Sequence, residues 1–343
     1  MRRIFWFILF PLLSSFVFEP VGGTDSTKMA TLPDVMSPQS MHVDENRLYI
    51  ADGHRILIYG LNDFGLRKIF GKKGDGEQEF RAHARGIRLL FDVQSDDIVI
   101  NSYERVSFFS KDGEFKSVQQ YPYPQTDFVI PMGRQYIAAY YYIHVGTGKS
   151  SKHILIFDDN LQFVKKITEG TLGSGSAKGF GGPDRKLHVD LVPRFYGFRA
   201  YEDKIYIGNS YDGFFIEVYD STGEKLYDIK RDFEKLKVDE AFKQKRMKEI
   251  KDRWQRYIDS IAIDEVEFFP AFRNFTVSDG KIYVYTYQEK EGNQEIVMLD
   301  LKGNHLKNVF VPRADHSQIM NGKYYFLHQN EDEEWEVHGF EVG

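Results

Sequence analysis

The chain of 343 residues contains no cysteine. That excludes disulfides, thiol nucleophiles and cysteine-ligated zinc or iron–sulfur sites, together with the lipid-bearing cysteine of a bacterial lipoprotein. Positive charge is not in excess: 45 Lys and Arg stand against 51 Asp and Glu, a formal net charge of -6, so the basic face of a general nucleic-acid binder is not expected. Proline is sparse, 11 residues against 29 glycines, and many of the glycines fall in short polar turns. Beyond the first 18 residues no apolar run approaches the length of a membrane span. Aromatic residues are plentiful at 15%, with 21 Tyr and 29 Phe, which suits a pleated, half-buried surface.

The N-terminus reads as an export signal. Met1-Arg2-Arg3 is basic, Ile4 to Phe18 is apolar apart from Pro11, Ser14 and Ser15, and the small-residue stretch Val21-Gly22-Gly23-Thr24 follows. Residues 1–25 are therefore expected to be a signal peptide or an N-terminal anchor. The remainder, 26–343, is expected to end up secreted or periplasmic.

A short unit recurs along the rest of the chain. Its second strand reads Arg47-Leu48-Tyr49-Ile50-Ala51-Asp52, then Asp97-Ile98-Val99-Ile100-Asn101-Ser102, and returns at 135–140, 204–209, 281–285 and 323–327. Polar turns such as Asp44-Glu45-Asn46 and Asp279-Gly280 precede these β-branched and aromatic runs, a hairpin signal. Third strands recur at Ile56–Tyr59, Ser107–Ser110, Ile154–Phe157, Ile216–Tyr219 and Ile296–Leu299, with Gly or Asn expected to supply the positive φ of the following turn. The sixth unit has a third strand at Trp335–Phe340 and no fourth. Six units of four strands, less one, predict an all-β fold: a six-bladed β-propeller with blades at about 36–70, 85–120, 127–168, 194–230, 271–311 and 316–343. Closure of the last blade falls to an N-terminal strand near 27–32, which would cover an otherwise adhesive sheet edge. A β-sandwich is the rival architecture.

Two segments resemble a known family. Ser37-Pro38-Gln39-Ser40-Met41-His42-Val43, followed by Leu48-Tyr49-Ile50-Ala51-Asp52-Gly53-His54-Arg55-Ile56, is similar to an NHL repeat. Ile69 to Phe80, rich in glycine and charge, resembles the connection to the next blade. The resemblance covers roughly residues 36–86 and fades afterwards to the general pattern of bacterial six-bladed propellers.

Second strands are spaced 39 to 49 residues apart except for two intervals of 68 and 77. The long intervals hold a glycine-rich insertion, 169–190, and a second insertion, 231–269, placed between blades four and five. Both lie between a fourth strand and the next first strand, so both should emerge on one face. The second predicts a helix from about Val238 to Ser260, with Ile250, Trp254, Tyr257 and Ile261 as its packing stripe and Lys243, Lys245, Arg246, Lys248, Lys251 and Arg253 on the remaining surface. It would act as a lid or a partner-gripping arm, or simply pack on the rim. The glycine-rich insertion has no Gly-Lys-Ser/Thr ending, and a loop is the expectation for it.

First strands line a propeller's channel. The polar and aromatic residues at blade entrances give the candidate ligand-binding set His42, Arg85, Arg194, Tyr196, Arg199, Arg273 and His316, with His83, Asn274, Arg313 and Asp315 nearby. Arginine beside aromatic rings suits an anionic or sugar-like ligand, because the guanidinium makes paired bonds to carboxylate or phosphate. The alternative is that these arginines pair with neighbouring carboxylates. No catalytic residue and no metal ligand is assigned. A gluconolactonase-like metal set is matched only in part, by Asp127 and Asn274, and the histidines His42, His83, His188 and His316 lack tight metal-ligand spacing. The reading is a non-catalytic, monomeric binding or interaction module using the insertion-bearing face. The alternatives are a metal-dependent hydrolase or lyase holding a divalent ion in the channel, and a purely structural propeller within an envelope assembly.

Overall fold

A computed structural model describes residues 26–81, 89–94, 96–121, 126–143, 150–171, 187–211, 213–255, 259 and 261–342. It contains six four-stranded antiparallel sheets and a smaller two-stranded one. The innermost strands of the six sheets are Pro38–Val43, Leu90–Gln94, Thr126–Met132, Tyr196–Tyr201, Asn274–Ser278 and Ser317–Met320. The second strands are Arg47–Asp52, Asp97–Ser102, Gln135–Ile143, Lys204–Asn209, Lys281–Lys290 and Lys323–Gln329. The sixth sheet is completed by Thr27–Thr31, which pairs antiparallel with Trp335–Glu341, Thr27 opposite Gly339.

Alternation along each second strand assembles the ring. Ile98 and Ile100 belong to an apolar cluster shared with Tyr49, Ile56 and Ile58 of the first blade, while the intervening Val99 belongs to one shared with Val129 and Leu155 of the third. Four further clusters join blades three to four, four to five, five to six, and six back to one. Six interfaces with six buried clusters close the circle, which confirms the six-bladed, all-β architecture with one helix between blades four and five. Second strands are therefore apolar on both sides, buried from Leu48 to Asp52 in the first blade, whereas the outer strand Leu66–Phe70 is mostly exposed.

Side chains fasten neighbouring blades near the axis. Asn101 behaves like a piece of strand: its Nδ2 donates to the Val129 carbonyl and its Oδ1 accepts from the Val129 N–H, both at 2.9 Å. The Gln318 Oε1 accepts from the Val43 N–H at 2.5 Å across the closing seam. Backbone groups on the free inner edges thus find partners without a further strand.

Turns between third and fourth strands repeat one design. The Asp220 carboxylate accepts from the Thr222 and Glu224 N–H groups, and Asp300 does the same for Lys302 and Asn304. Gly223 and Gly303 take φ of 77° and 88°; at Gly303 a Cβ would come within 2.5 Å of Ile229 in the preceding blade. In the third blade the positive φ falls on Leu161, at 55°, and not on Asn160 as the sequence suggests. Asn160 instead donates its N–H to Asp158 at 2.9 Å, and Leu161 is buried against the second and third blades. Apolar burial there holds the strained backbone.

The second insertion departs from its expected form. Its helix runs Glu240–Arg253, opened by Asp239, whose carboxylate accepts from the Phe242 N–H. It stops well short of residue 260. Ile261 is not on the helical stripe but begins the strand Ile261–Asp264, which pairs in parallel with Leu187–Asp190 from the first insertion. Residues 256–258, with Tyr257, lie outside the described residues, as does the glycine-rich stretch 172–186. Arg246, expected on the solvated face, is 4% exposed: its Nε donates to the Leu191 carbonyl at 3.2 Å and its Nη1 pairs with Glu249 at 3.0 Å.

Candidate functional site

Strand direction fixes two faces. Connections from fourth to first strands, and hence both insertions, emerge on one face, and turns such as Asp44–Asn46 on the other. The insertions meet above the channel. Val189 of the first and Leu191 just after it cluster with Ile250 and Ile261 of the second, with Met247 and Trp254 packed alongside. A second apolar group joins Val192 to Val238 and Phe269, flanked by Phe242 and Tyr287. The Phe269 ring stacks on Tyr287 at 4.7 Å and meets Phe242 edge-on at 4.9 Å, while the Tyr287 hydroxyl donates to the Pro193 carbonyl at 3.0 Å. Tyr287 belongs to a second strand ten residues long, against six in the first blade, and its overhang reaches into this roof.

Beneath the roof lies a cavity of about 1740 Å³ that runs along the channel. Its lining carries ten Lys or Arg and ten Asp or Glu. The turns of the face opposite the roof contribute Asp44, Glu45, Asp112, Glu202 and Asp203 against Arg47 and Lys111. The helix contributes Phe242, Lys245, Arg246 and Glu249 to the roofed half.

Two groups of chemistry-bearing side chains face this space. At the mouth, Arg273 and Arg313 share Glu289, with Arg313 Nη1 at 2.7 Å and Arg273 Nη2 at 3.5 Å. Arg273 also donates to the Thr286 carbonyl and lies 5.0 Å above the Tyr287 ring. Burial and the neighbouring Arg273 both pull the Arg313 pKa below the usual guanidinium value. Deeper in, His42 Nδ1 is 3.6 Å from Asp92, and Arg199 bonds to Asn274 Oδ1 at 2.7 Å. Burial holds the His42 pKa below its ordinary value despite the Asp92 and Asp44 carboxylates. Burial likewise lowers the pKa of Arg199, with Asp92 opposing.

Of the residues chosen from sequence, His42, Arg194, Tyr196, Arg199 and Arg273 border the cavity. Arg194 is exposed at its rim and lies over Tyr211 at 5.1 Å. Tyr196 is 8% exposed and sits in the apolar cluster between blades three and four. His316 is not among the lining residues; its carbonyl accepts from the Leu327 N–H and its ring meets Trp335 edge-on. Arg85 and His83 lie outside the described residues, as do the side chains of Asp127 and His188. Sequence reasoning missed Asp92, Tyr285, Tyr287, Glu289 and Arg246. For Tyr287 and Glu289 a signal existed, since the run Ile282 to Lys290 outlasts an ordinary second strand. Among the described residues no three His, Asp or Glu side chains gather as a metal-binding set.

No protein-family model matches the sequence and no curated protein matches it. Solved structures do. A Bacteroides fragilis protein described as a "Putative exported protein" superposes with a TM-score of 0.56 at 11% identity, over 93% of this chain and 94% of its own, and so shares the fold. The Myceliophteria thermophila Cps50 (Swd1) β-propeller domain gives 0.42 at 10% identity, covering 91% and 99%. The AfRom2 CNH domain gives 0.38 at 9%, covering 93% and 100%.

Proposed function

We propose that this chain is an exported, non-catalytic binding module that takes an anionic ligand at the channel mouth roofed by its two insertions. The observation that carries the reading is the parallel pairing of Leu187–Asp190 with Ile261–Asp264. It joins two distant departures from the repeat into one structure over one opening. A helix that only packed on the rim would have no reason to roof a cavity. This one contributes Phe242, Lys245 and Arg246 to the lining that also holds Arg273 and Arg313. Cations and aromatic rings at a partly enclosed mouth are the chemistry of anion capture, since desolvated charge attracts strongly. Export is read from the basic and apolar N-terminus. It agrees with the description of the Bacteroides fragilis protein of similar fold. Among the described residues no helix is long and apolar enough to cross a membrane.

The test is ligand-induced thermal stabilisation of the purified protein across a panel of small organic anions and neutral sugars. A ligand at 100 times its Kd adds about 2.7 kcal/mol to stability, enough to read as a shift of melting temperature. Anions are expected to raise the midpoint in the native protein and not in the Arg273→Ala/Arg313→Ala double variant. A rise that survives the double substitution, or none with any anion, sinks the reading.

A further inference from the structure

Arg199 is a half-buried charge in the lining of the channel. Its guanidinium lies 5.8 Å from the Phe195 ring centre and 5.5 Å from that of Phe275. Nη1 donates to the Phe198 carbonyl and Nη2 to Asn274 Oδ1, each at 2.7 Å, and both acceptors are neutral. Among the described residues it makes no ion pair, in contrast to Arg246, Arg273 and Arg313. A guanidinium has five N–H donors, so three remain without a protein acceptor there. Two aromatic neighbours restrain the planar group, which leaves a pre-organised fork in the lining of the channel. Asp92 favours its charged form electrostatically, yet among the described residues no hydrogen bond joins the two, so the remaining N–H groups are open to the anion of a ligand.

We propose that Arg199 is the anchor for the carboxylate of an acidic saccharide, a hexuronate unit, bound in the roofed channel. This rests on the reading of that channel as a binding site and adds the class of ligand. A carboxylate fits the fork with two parallel bonds. Asp92 already stands in the same cavity lining, 3.6 Å from His42, so a singly charged carboxylate is accommodated better than a doubly charged phosphate. The surrounding wall mixes ring faces with amides and hydroxyls: Phe195 and Tyr285 beside Asn274, Thr276, Ser317 and Gln318. Flat apolar faces with neutral donors and acceptors match the two sides of a hydroxylated ring, whereas a purely aromatic acid would leave those polar groups unanswered. The cavity, at about 1740 Å³, accommodates several linked units.

Calorimetric titration of the purified protein with galacturonate and trigalacturonate, against galactose, galactose 6-phosphate and benzoate, tests the assignment. The uronates are expected to bind at least tenfold more tightly than any of the three controls. Arg199→Gln is expected to weaken uronate binding about 100-fold, the scale of losing a buried charged partner, with circular dichroism unchanged. Arg199→Lys, which keeps the charge and loses the fork, should fall between, and it decides the matter alone if Arg199→Gln does not fold. Equal binding of benzoate overturns the sugar, and equal binding of the phosphate overturns the carboxylate. Absence of uronate binding, or unchanged affinity in the Arg199 variants, overturns the anchor. If some other anion still stabilises the native protein but not the Arg273→Ala/Arg313→Ala variant, the roofed site stands while this ligand assignment falls.

Discussion

Asp52, buried, and Arg199, half-buried, show two fates of a charge drawn out of bulk water. Asp52, 3% exposed, is fully answered by its own blade: its carboxylate accepts from the Met36 and Ser37 N–H groups and pairs with Arg55. It sits in the stretch Ala51-Asp52-Gly53, where Gly53 takes φ of 60°, so the residue pattern that marks the first blade in the sequence is a device for tying the chain ahead of the inner strand to the second. Asp52→Ala should destabilise the protein by about 3 kcal/mol, because two N–H groups and a guanidinium lose their acceptor. Urea denaturation at pH 7 measures this, and a change below about 0.5 kcal/mol would contradict the role. Arg199 was visible in the sequence as an arginine at a blade entrance, as was Arg273. Asp92 was not, since one acid in Leu90–Gln94 looks like any solvated strand residue until the neighbouring blade brings His42 beside it. Arg246 is hidden from the sequence for a related reason: helical periodicity ranks a charge as outward, and only the Leu191 carbonyl, just after the other insertion, turns it inward.

The elements repeated in every blade were legible, because hairpin turns and β-branched runs are local signals. The roof was legible only as two interruptions. Its helix is legible but shorter than the periodicity suggests, since Ile261 falls at a helical interval from Ile250 while its backbone is claimed by the strand Leu187–Asp190, some 70 residues earlier in the chain. No local pattern announces a parallel partner at that distance. The roof's own core is small, centred on Val189, Leu191, Ile250 and Ile261. Ile250→Ala should therefore remove about 3 kcal/mol from the roof alone. Hydrogen exchange is expected to accelerate across Glu240–Arg253 and Ile261–Asp264, while the second strands of the blades keep their protection. Acceleration spread evenly over all six blades would show instead that roof and ring unfold as one unit.

At the scale of the molecule, stability depends on the seam between the sixth blade and the strand that completes it. Lys28 pairs there with Glu336 at 2.6 Å, and Glu336 also receives His338 and Asn330. The Lys28 hydrogen bond holds the Glu336 pKa down, to about 2, against the opposing effect of burial. Because the folded value is depressed, the contribution is complete above the ordinary glutamate range and disappears as pH falls from about 4.5 toward 2. Lys28 is half exposed, so the effect should stay within about 1 kcal/mol. Comparing denaturation midpoints at pH 7 and pH 3 should show the native protein losing more than Glu336→Gln. Equal losses would remove Glu336 from the acid response.

The same seam determines how the disc would hang from a tether. Thr27 lies beside Gly339, and the Val342 N–H bonds to the Gly322 carbonyl in a turn of the face opposite the roof. Both ends of the ring thus leave from the acidic side. Any support joined ahead of residue 26, whether a lipid bilayer or a neighbouring protein, would meet the molecule from behind. The arginine-lined opening would then look outward, toward whatever diffuses past.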